Sequence, residues 1–504
     1  MAEEDPPMNI ATLLRRSAAD HPADVALRLD DDEVDYAGYA ERGARFAAYL
    51  RHTGVEPGER VGFLLPNCPE YLVGLLGTWQ AGAVGVPLNR MFPDAALRHV
   101  VRDSGLRVLV LPAADRDRAA ALLGEECPEL LTTDGFAAAL AAHEPAADVL
   151  PRLDGEDACI MYTSGSTGVP KGVRQTHRNL VAEAEGAIGR YRLTAADHVL
   201  NCMPLFHVGG LQLASLPLLL LGGQITFMPR WDVVRWLELA QELRPTFGGL
   251  ISTMMIDVGN RTVGSPVVLD SFRICMFGGS RTPTAAIERL EAGTGIAGVE
   301  IYGQTEQNGL VVTYGPDDVR RPDSMGTPLE QIVRTRLVPV DGGPDLRPGG
   351  EGVGELWVRG DAVTPGYWNI DVPEKWSADG WFRTGDLMSQ DADGYLYYVD
   401  RIDDMIVSGG ENVFPQMVEE HLADHPDLAE VAVIGTAHER WVEQVTAVVV
   451  PNKPGVTVEQ IAAWCAADPN LRGMHGPKRI EIVDALPRTG SGKLDRPELR
   501  AMFP

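Results

Sequence analysis

The stretch Tyr162-Thr-Ser-Gly-Ser-Thr-Gly-Val-Pro-Lys-Gly172 constrains fold and function more tightly than any other part of the chain. Its glycines remove the Cβ atoms that would hold a phosphate away from backbone N–H groups, and Lys171 adds a compact positive charge. It is not a Walker A sequence, because that pattern needs Gly directly before Lys and Pro170 stands there. Composition alone would make it a plain surface turn, so the interpretation depends on residue order and on the segments downstream.

Composition and charge limit the possible partners. The chain has 504 residues, 45% hydrophobic and 23% charged, which predicts a globular protein with more than one domain. A net charge of −27 argues against nucleic-acid or anionic-membrane partners, because the long-range field repels both. The six cysteines lie far apart and no signal-peptide pattern is visible, so we expect a cytoplasmic protein with reduced thiols. The uncharged stretch 209–228 contains Pro217 and two Gly-Gly pairs, and we interpret it as a buried helix and strand without membrane insertion.

Apolar strand-like runs alternate with helical patterns through the first four-fifths of the chain. This alternation predicts mostly parallel sheets covered by helices. Strands are predicted at 60–64, 84–88, 107–111, 199–203, 224–228, 246–251, 273–277 and 299–302, and helices near 69–81, 93–104, 233–243 and 283–292.

The pattern changes twice towards the C-terminus. From about Leu329, turns rich in Gly, Pro and Asp separate short strands, which predicts an antiparallel, barrel-like section. After Asp400, two helices and three strands predict a small, mobile α+β unit. The predicted fold class is therefore α/β. Residues 1–400 form a large N-terminal domain of mostly parallel, helix-covered sheets with the barrel-like section, and residues 401–504 form the C-terminal domain.

The opening stretch resembles the pyrophosphate-side loop of adenylate-forming enzymes, the acyl-CoA synthetase superfamily. Four further segments resemble motifs of that family in the required order, and the resemblance spans nearly the whole chain. It implies a site that activates a carboxylate with ATP. The implied ATP-binding residues are Thr163, Ser164, Gly165, Ser166, Thr167, Gly168, Lys171, Tyr302, Gly303, Asp386 and Arg401.

Tyr302-Gly-Gln-Thr-Glu306 resembles the second motif of the family. It follows a predicted strand, at the edge where open α/β sheets bind ligands. By resemblance, Tyr302 stacks on adenine, Thr305 contacts the α-phosphate, and Glu306 together with Thr163 holds Mg²⁺, which prefers hard oxygen ligands.

Phe382-Arg-Thr-Gly-Asp386 resembles the third motif, in which the carboxylate of Asp386 accepts the ribose hydroxyls. Arg401 would reach the ribose or phosphate, and Asp403 occupies the hinge position between domains. The last motif, Pro487-Arg-Thr-Gly-Ser-Gly-Lys493, supplies the catalytic Lys493, which by resemblance approaches the carboxylate and α-phosphate during adenylation only.

Pro204-Leu-Phe-His207-Val-Gly-Gly210 resembles the segment that lines the acid pocket in the family. Packed core is the alternative interpretation of Phe206 and His207. We count His207 among the predicted catalytic residues as well. The predicted pocket residues are Phe206, His207, Val208, Gly209, Gly279, Gln307 and Asn308, and this lining favours an aryl or medium-sized acyl acid.

The segments Ala437-His-Glu-Arg-Trp441 and Met474-His-Gly-Pro-Lys-Arg479 resemble the CoA-binding regions of bacterial aryl-CoA ligases. The loop after the predicted hinge resembles a further CoA contact of the family. Ser408, Gly409 and Gly410 would lie against the pantetheine arm, where glycine leaves room for a narrow tunnel. Trp441 would stack on the CoA adenine, and Lys478 is a candidate phosphate contact. The alternative role of Trp441 is to cover a hydrophobic seam of the small domain.

The sequence therefore predicts an ATP-dependent acid–CoA ligase that uses ATP, Mg²⁺, CoA and a small carboxylic acid. One alternative is an adenylating enzyme that delivers its product to a carrier-protein thiol or an amine, or that activates nitrite. A non-catalytic binding module is disfavoured, because Lys493, Glu306 and Asp386 are all present. The identity of the acid and the oligomeric state stay open.

Overall fold

The fold was analysed in a computed structural model. The structure describes residues 9–164, 169–279, 284–340, 342–408, 411–471, 476–488 and 494–503. The chain divides into two compact units. Unit 1 comprises Met1–Arg334 and Val358–Phe382, and unit 2 comprises Thr335–Trp357 and Arg383–Pro504.

Unit 1 is built from eleven helices and fifteen strands within the described residues. The helices are α1 (Ile10–Asp20), α2 (Tyr36–His52), α3 (Pro69–Gln80), α4 (Asp94–Ser104), α5 (Arg116–Leu123), α6 (Thr133–Ala142), α7 (His177–Tyr191), α8 (Leu216–Leu221), α9 (Val233–Leu243), α10 (Ser252–Thr262) and α11 (Thr284–Thr294). The strands are β1 (Val25–Leu29), β2 (Asp32–Asp35), β3 (Arg60–Phe63), β4 (Val84–Pro87), β5 (Leu106–Leu111), β6 (Glu129–Thr132), β7 (Asp157–Ser164), β8 (Pro170–Thr176), β9 (His198–Asn201), β10 (Gln224–Phe227), β11 (Phe247–Ile251), β12 (Ile274–Gly278), β13 (Gly298–Tyr302), β14 (Val312–Thr313) and β15 (Thr327–Pro328).

The first sheet of unit 1 has six strands in the order β6-β5-β3-β4-β7-β8. The neighbouring strands from β6 to β7 in this order all pair in parallel, and β8 pairs antiparallel with β7. All of β4, and all of α3 except Glu70, are buried, because both faces of a parallel sheet are covered. This burial explains the apolar runs that predicted the βαβαβ stretch. Helix α4 ends at Gly105, whose φ of 58° is left-handed and favours glycine.

The second sheet of unit 1 has nine strands in the order β15-β14-β13-β12-β11-β9-β10-β1-β2. Its central strands, β1 and β9 to β13, run parallel to their neighbours, and antiparallel pairs stand only at the two edges. The stretch 209–228 forms a π-helical turn at Gly209–Leu213, then α8 and β10, as predicted. None of the helices in the described part of the chain combines the length and apolar character needed to span a bilayer.

Unit 2 contains a four-stranded and a five-stranded sheet. The first has the order β16 (Val333–Pro339), β17 (Gly354–Gly360), β18 (Phe382–Gln390) and β19 (Leu396–Arg401). The second is built from β20 (Ile406–Ser408), β21 (Glu411–Val413), β22 (Leu428–His438), β23 (Val442–Pro451) and β24 (Arg479–Ile482), with helices α12 (Pro415–Ala423), α13 (Val458–Ala467) and α14 (Arg496–Met502).

The predicted α/β fold class, with its small antiparallel section and C-terminal α+β part, is confirmed. The predicted domain boundary at residue 400 stays a prediction. The compact unit that holds the C-terminal residues also takes in Thr335–Trp357 and Arg383–Asp400.

Candidate active site

The first predicted motif surrounds the tip of a β-hairpin in unit 1. β7 and β8 pair so that Thr163 lies opposite Lys171. Directly opposite residues on one face of an antiparallel pair are close neighbours, and both are partly exposed. A hydroxyl and an ammonium group therefore flank the end of the hairpin. Ser164 closes β7, and Gly165, Ser166, Thr167 and Gly168 lie outside the described residues.

The second motif forms a short turn directly after β13. Tyr302 ends this strand and is buried. A Cβ on Gly303 would lie 2.3 Å from the carbonyl oxygen of Gly309, so only glycine fits there. The Gln304 N–H donates to Gln307 Oε1 at 2.8 Å and closes a capping box on the turn Thr305–Gln307. The turn therefore holds Thr305 and Glu306 in a fixed backbone conformation.

The two amides predicted for the acid pocket have structural partners in the described chain. Gln307 is wholly buried and its side chain caps its own turn. Asn308 adopts a left-handed φ of 58°, and its Nδ2 donates to the Ala362 carbonyl at 2.8 Å. Its buried Oδ1 has no hydrogen-bond partner among the described residues. The local role of both amides is therefore to fix the turn.

Glu306 contacts a tyrosine that sequence reasoning missed. Tyr367 Oη donates to Glu306 Oε1 at 2.8 Å. Tyr367 reaches this position because it bridges to Val173 of β8, and the adjacent Trp368 N–H donates to the Gly172 carbonyl at 2.7 Å. The Gly-Tyr-Trp-Asn stretch at 366–369 was visible in the sequence, but no local signal linked it to Glu306.

The predicted acid-pocket segment leads into the π-helical turn Gly209–Leu213. The Gly209 N–H donates to His207 Nδ1 at 3.3 Å, and His207 is partly exposed, as is Phe206. Val208 is buried, and a Cβ on Gly309 would meet its side chain at 3.1 Å. This segment therefore packs against the chain that leaves the second motif. The other predicted pocket glycine, Gly279, follows β12, is exposed, and has a φ of 86°.

Asp386 and Arg401 come together in unit 2. They lie opposite each other on β18 and β19, and the Arg401 guanidinium donates to Asp386 Oδ1 at 2.8 Å. Asp386 is almost wholly buried, whereas the Arg401 side chain is about one-third exposed. The carboxylate and the guanidinium are the two groups predicted to meet the ribose and phosphate, and they are in direct contact.

The predicted hinge residue Asp403 is exposed in the turn Ile402–Asp404. Its carbonyl accepts a hydrogen bond from Arg500, which also pairs with Asp404 at 2.7 Å. Just before the turn, Asp400 accepts the backbone N–H groups of Arg401 and Gln416. Burial raises the pKa of Asp400 to about 6, against the opposing effect of these hydrogen bonds.

The described CoA residues of unit 2, Ser408, Trp441 and Lys478, lie near one another. Ser408 is buried and pairs in register with Val442, which directly follows Trp441. The Trp441 ring stacks on His438 with a centroid distance of 4.3 Å, and Lys478 Nζ lies 6.0 Å from the centroid of the Trp441 ring. Gly409, Gly410 and Lys493 lie outside the described residues.

The turn before β23 is strained. Val442 has a φ of 70° and is 76% exposed, a conformation that is unfavourable for a β-branched residue. His438 Nδ1 accepts the N–H groups of Arg440 and Trp441 and fastens the same turn. The same histidine thus fastens the turn and stacks on the partly exposed Trp441 ring.

Comparison with known proteins gives the family. Residues 14–368 match the model of the AMP-binding enzyme, and residues 417–493 match the AMP-binding enzyme C-terminal domain. The chain belongs to the AMP-binding enzyme family. The predicted relationship to adenylate-forming enzymes is thereby confirmed.

Relatives in this family are acid–CoA ligases of similar length. The chain is 36% identical to a feruloyl-CoA synthase of Amycolatopsis sp over 492 residues, which cover 97% of this chain and 98% of the relative. It is 32% identical to an indoleacetate–CoA ligase of Aromatoleum aromaticum, with 98% of each chain covered. The crystal structure of ATP-bound MatB from Rhodopseudomonas palustris superposes with a TM-score of 0.90 at 29% identity, covering 98% of this chain and 99% of MatB. The prediction of an AMP-forming acid–CoA ligase is confirmed at the level of the family.

Proposed function

We propose that this chain converts a carboxylic acid and ATP into an acyl-adenylate and pyrophosphate, and then transfers the acyl group to CoA with release of AMP. The observation that carries this proposal is the set of contacts that β8 makes in unit 1. It contains Lys171, it pairs with Thr163, and through Val173 and Tyr367 it connects to Glu306. One strand thus joins three residues to which the proposal assigns roles in adenylation.

Adenylation brings an anionic carboxylate to an anionic α-phosphate, so the site must neutralise charge on both groups. Lys171 and the hydroxyl groups beside it would hold the leaving pyrophosphate, and Thr305 would contact the α-phosphate. Lys493 would bridge the carboxylate and the α-phosphate in the first half-reaction. Asp386 would fix the ribose through its hydroxyls, with Arg401 beside it.

Thr163 and Glu306 suit a Mg²⁺ ion. Both offer hard oxygen atoms, and Mg²⁺ in nucleotide sites typically takes one or two protein carboxylates in addition to substrate phosphates. Tyr367 occupies Glu306 Oε1, which leaves Oε2 to face a cation. A bound Mg²⁺ supplies charge neutralisation on the phosphate oxygens.

In the second half-reaction the thiol of CoA replaces the adenylate. We assign Trp441 to the CoA adenine, Lys478 to its phosphates, and Ser408, Gly409 and Gly410 to the pantetheine arm. The partly exposed, stacked Trp441 ring with a nearby ammonium group supports this assignment. The C-terminal domain would turn about Asp403 between the two steps, a hinge motion that withdraws Lys493 and admits CoA.

We propose an aryl or medium-sized acyl acid as the substrate. The partly exposed Phe206 and His207, together with the glycines at 209 and 279, would line the pocket. The feruloyl-CoA and indoleacetate relatives favour an aryl acid. Because a methylene in such a pocket changes specificity by only about 1–3 kcal/mol, close relatives can differ in substrate.

Acid-dependent exchange of labelled pyrophosphate into ATP tests adenylation without CoA. The purified protein is given ATP, Mg²⁺ and, in turn, ferulate, indole-3-acetate, benzoate or octanoate. We expect exchange with at least one of these acids and none without acid. Exchange that is independent of every acid, or absent with all of them, contradicts the proposed function.

A further inference from the structure

We propose that Gln175 and Gln212 are positioning residues that transmit the state of the acid pocket to the nucleotide-binding turn. The proposal rests on the proposed function, which assigns the segment before Gln212 to the acid and Thr305 to the α-phosphate. All the contacts on which it depends lie within unit 1.

The two side chains form a directed chain of hydrogen bonds. Gln212 Nε2 donates to Gln175 Oε1 at 2.7 Å, and Gln175 Nε2 donates to the Thr305 carbonyl at 3.3 Å. Both glutamines are fully buried. Hydrogen bonds are electrostatically stronger in such low-dielectric surroundings than in water, so the chain is a strong constraint on the atoms it joins.

The Thr305 carbonyl fixes which way both amides point. A carbonyl oxygen only accepts, so Gln175 must present its NH₂ group to Thr305 and its oxygen to Gln212. Gln212 must then present its own NH₂ group to Gln175. The remaining atom, Gln212 Oε1, is buried with no hydrogen-bond partner among the described residues. Leaving a buried acceptor unpaired costs free energy. The hydrogen bonds that lead to Thr305 are therefore kept at the expense of a partner for Gln212 Oε1.

The two ends of the chain lie in different parts of the predicted site. Gln212 belongs to the π-helical turn that directly follows Phe206–Val208, and π-helical turns are frequent at functional sites. Thr305 shares its peptide plane with the N–H of Glu306, so a contact at this carbonyl sets the orientation of both residues. Displacement of the acid-pocket wall therefore acts on the turn that carries Thr305 and Glu306.

The consequence is reciprocal coupling between the acid and the nucleotide. A bound acid that holds the π-helical turn in place also holds Gln212, Gln175 and the Thr305 peptide, so the nucleotide meets a turn that is already ordered. By linkage, the nucleotide must strengthen acid binding by the same factor.

The test measures this factor with substitutions that remove the amide but keep the side-chain length, Gln212→Met and Gln175→Met. The acid that gives the fastest pyrophosphate exchange is titrated by calorimetry, with and without saturating α,β-methylene-ATP and Mg²⁺. This analogue cannot transfer its adenylyl group to the acid, so binding is measured without reaction. Gln212→Met removes the hydrogen bond to Gln175, and Gln175→Met removes both hydrogen bonds of the chain, so each variant alone tests the proposal.

Gln80→Met is the matched control. Gln80 is also fully buried, and its Nε2 donates to the carbonyls of Ala146 and Asp148 at 2.9 and 3.1 Å. Its substitution should lower the melting temperature as the other two do. Because the described hydrogen bonds of the Gln80 side chain go to Ala146 and Asp148, which belong neither to the π-helical turn nor to the turn that carries Thr305, the coupling factor should keep its wild-type value.

We expect the analogue to tighten acid binding at least about fivefold in the wild type, the lower end of typical coupling, and less than about twofold in Gln212→Met and Gln175→Met. The double variant should match the single ones. Wild-type coupling in either variant, its loss in Gln80→Met, or independent binding in a wild type that does exchange pyrophosphate would each overturn the inference. A wild type without acid-dependent exchange would overturn the proposed function instead.

Discussion

Tyr367 donates its phenolic hydrogen to Glu306 Oε1 across 2.8 Å, although 61 residues separate the two in the sequence. The hydrogen bond fixes one carboxylate oxygen and therefore the direction of the other. Since Glu306 is the carboxylate among the predicted Mg²⁺ ligands, Tyr367 sets the geometry in which that carboxylate would meet the metal and the phosphates.

Tyr367→Phe should weaken the response to Mg²⁺. The variant removes one hydrogen bond to a charged group, worth roughly 1.5–3 kcal/mol, and leaves the ring in place. We expect the Mg²⁺ concentration for half-maximal pyrophosphate exchange to rise several-fold. Tyr397→Phe is the control, because Tyr397 donates to Asp391 at the β18–β19 turn and should leave the titration unchanged. Identical Mg²⁺ titration curves for wild type and Tyr367→Phe would contradict the proposal that Tyr367 orients Glu306 towards the metal.

Asp386→Asn should impair recognition of the ribose. The amide keeps the shape of the side chain but loses the charge that accepts the ribose hydroxyls. We expect the KM for ATP to rise roughly ten- to hundredfold, with little change in the KM for the acid. Any preference of the wild type for ATP over 2′-deoxy-ATP should shrink in the variant. A preference of the same size in the variant would show that Asp386 does not contact the ribose 2′-hydroxyl.

Asp400 should make stability depend on pH between about 4 and 6. Its pKa is raised from 3.8 to about 6 by burial, so the folded state binds the proton more tightly than the unfolded state. This contribution is complete below pH 4 and is lost as pH rises through 6. From pH 7 to pH 5, wild type should gain about 1 kcal/mol in free energy of unfolding relative to Asp400→Asn. Urea unfolding at both pH values measures this gain. An equal change in the free energy of unfolding between pH 7 and pH 5 in the two proteins contradicts it.

Trp441→Ala should affect only the second half-reaction. Loss of one stacking surface for the adenine base costs about 1–3 kcal/mol, so we expect the KM for CoA to rise roughly ten- to hundredfold. Pyrophosphate exchange should be unchanged. Trp231→Phe serves as the control, since Trp231 Nε1 donates to Asp257 in unit 1. If Trp441→Ala lowers stability without changing the KM for CoA, the ring covers a hydrophobic seam instead.

Lys493→Ala and Asp403→Pro should show opposite defects. Lys493→Ala should lose roughly 3–4 kcal/mol of transition-state stabilisation in adenylation, yet form thioester from supplied acyl-adenylate. Asp403→Pro should keep adenylation and lose thioester formation, because a stiffened hinge cannot change state. Single-turnover assays of each half-reaction measure both. Equal loss of the two steps in Lys493→Ala would contradict the two-state assignment.

The sequence predicted most elements of the two large sheets and of the C-terminal part. Strands such as Val84–Pro87 are buried on both faces, so their apolar runs stand out without knowledge of the partner strands. Helix α13 begins with a capping box formed by Thr457 and Gln460, which is a helix-start signal contained in four consecutive residues. These signals are local, and local signals survive in a single sequence.

The contacts that orient the site depend on residues far apart in the chain. Gln175 meets Thr305 across 130 residues and Tyr367 meets Glu306 across 61. Neither glutamine nor tyrosine carries a local pattern that names its partner. The hairpin that brings Thr163 opposite Lys171 was likewise not predicted, because its register depends on cross-strand pairing. The motif residues therefore stand out in the sequence, whereas the residues that contact them in the fold do not.

Mass spectrometry of the reaction products tests the central claim most directly. The protein is incubated with ATP, Mg²⁺ and a panel of aryl and medium-chain acids, with and without CoA. We predict an acyl-adenylate for one acid without CoA, and its conversion to acyl-CoA together with AMP when CoA is present. An acyl-adenylate that accumulates and that CoA fails to discharge would contradict the account.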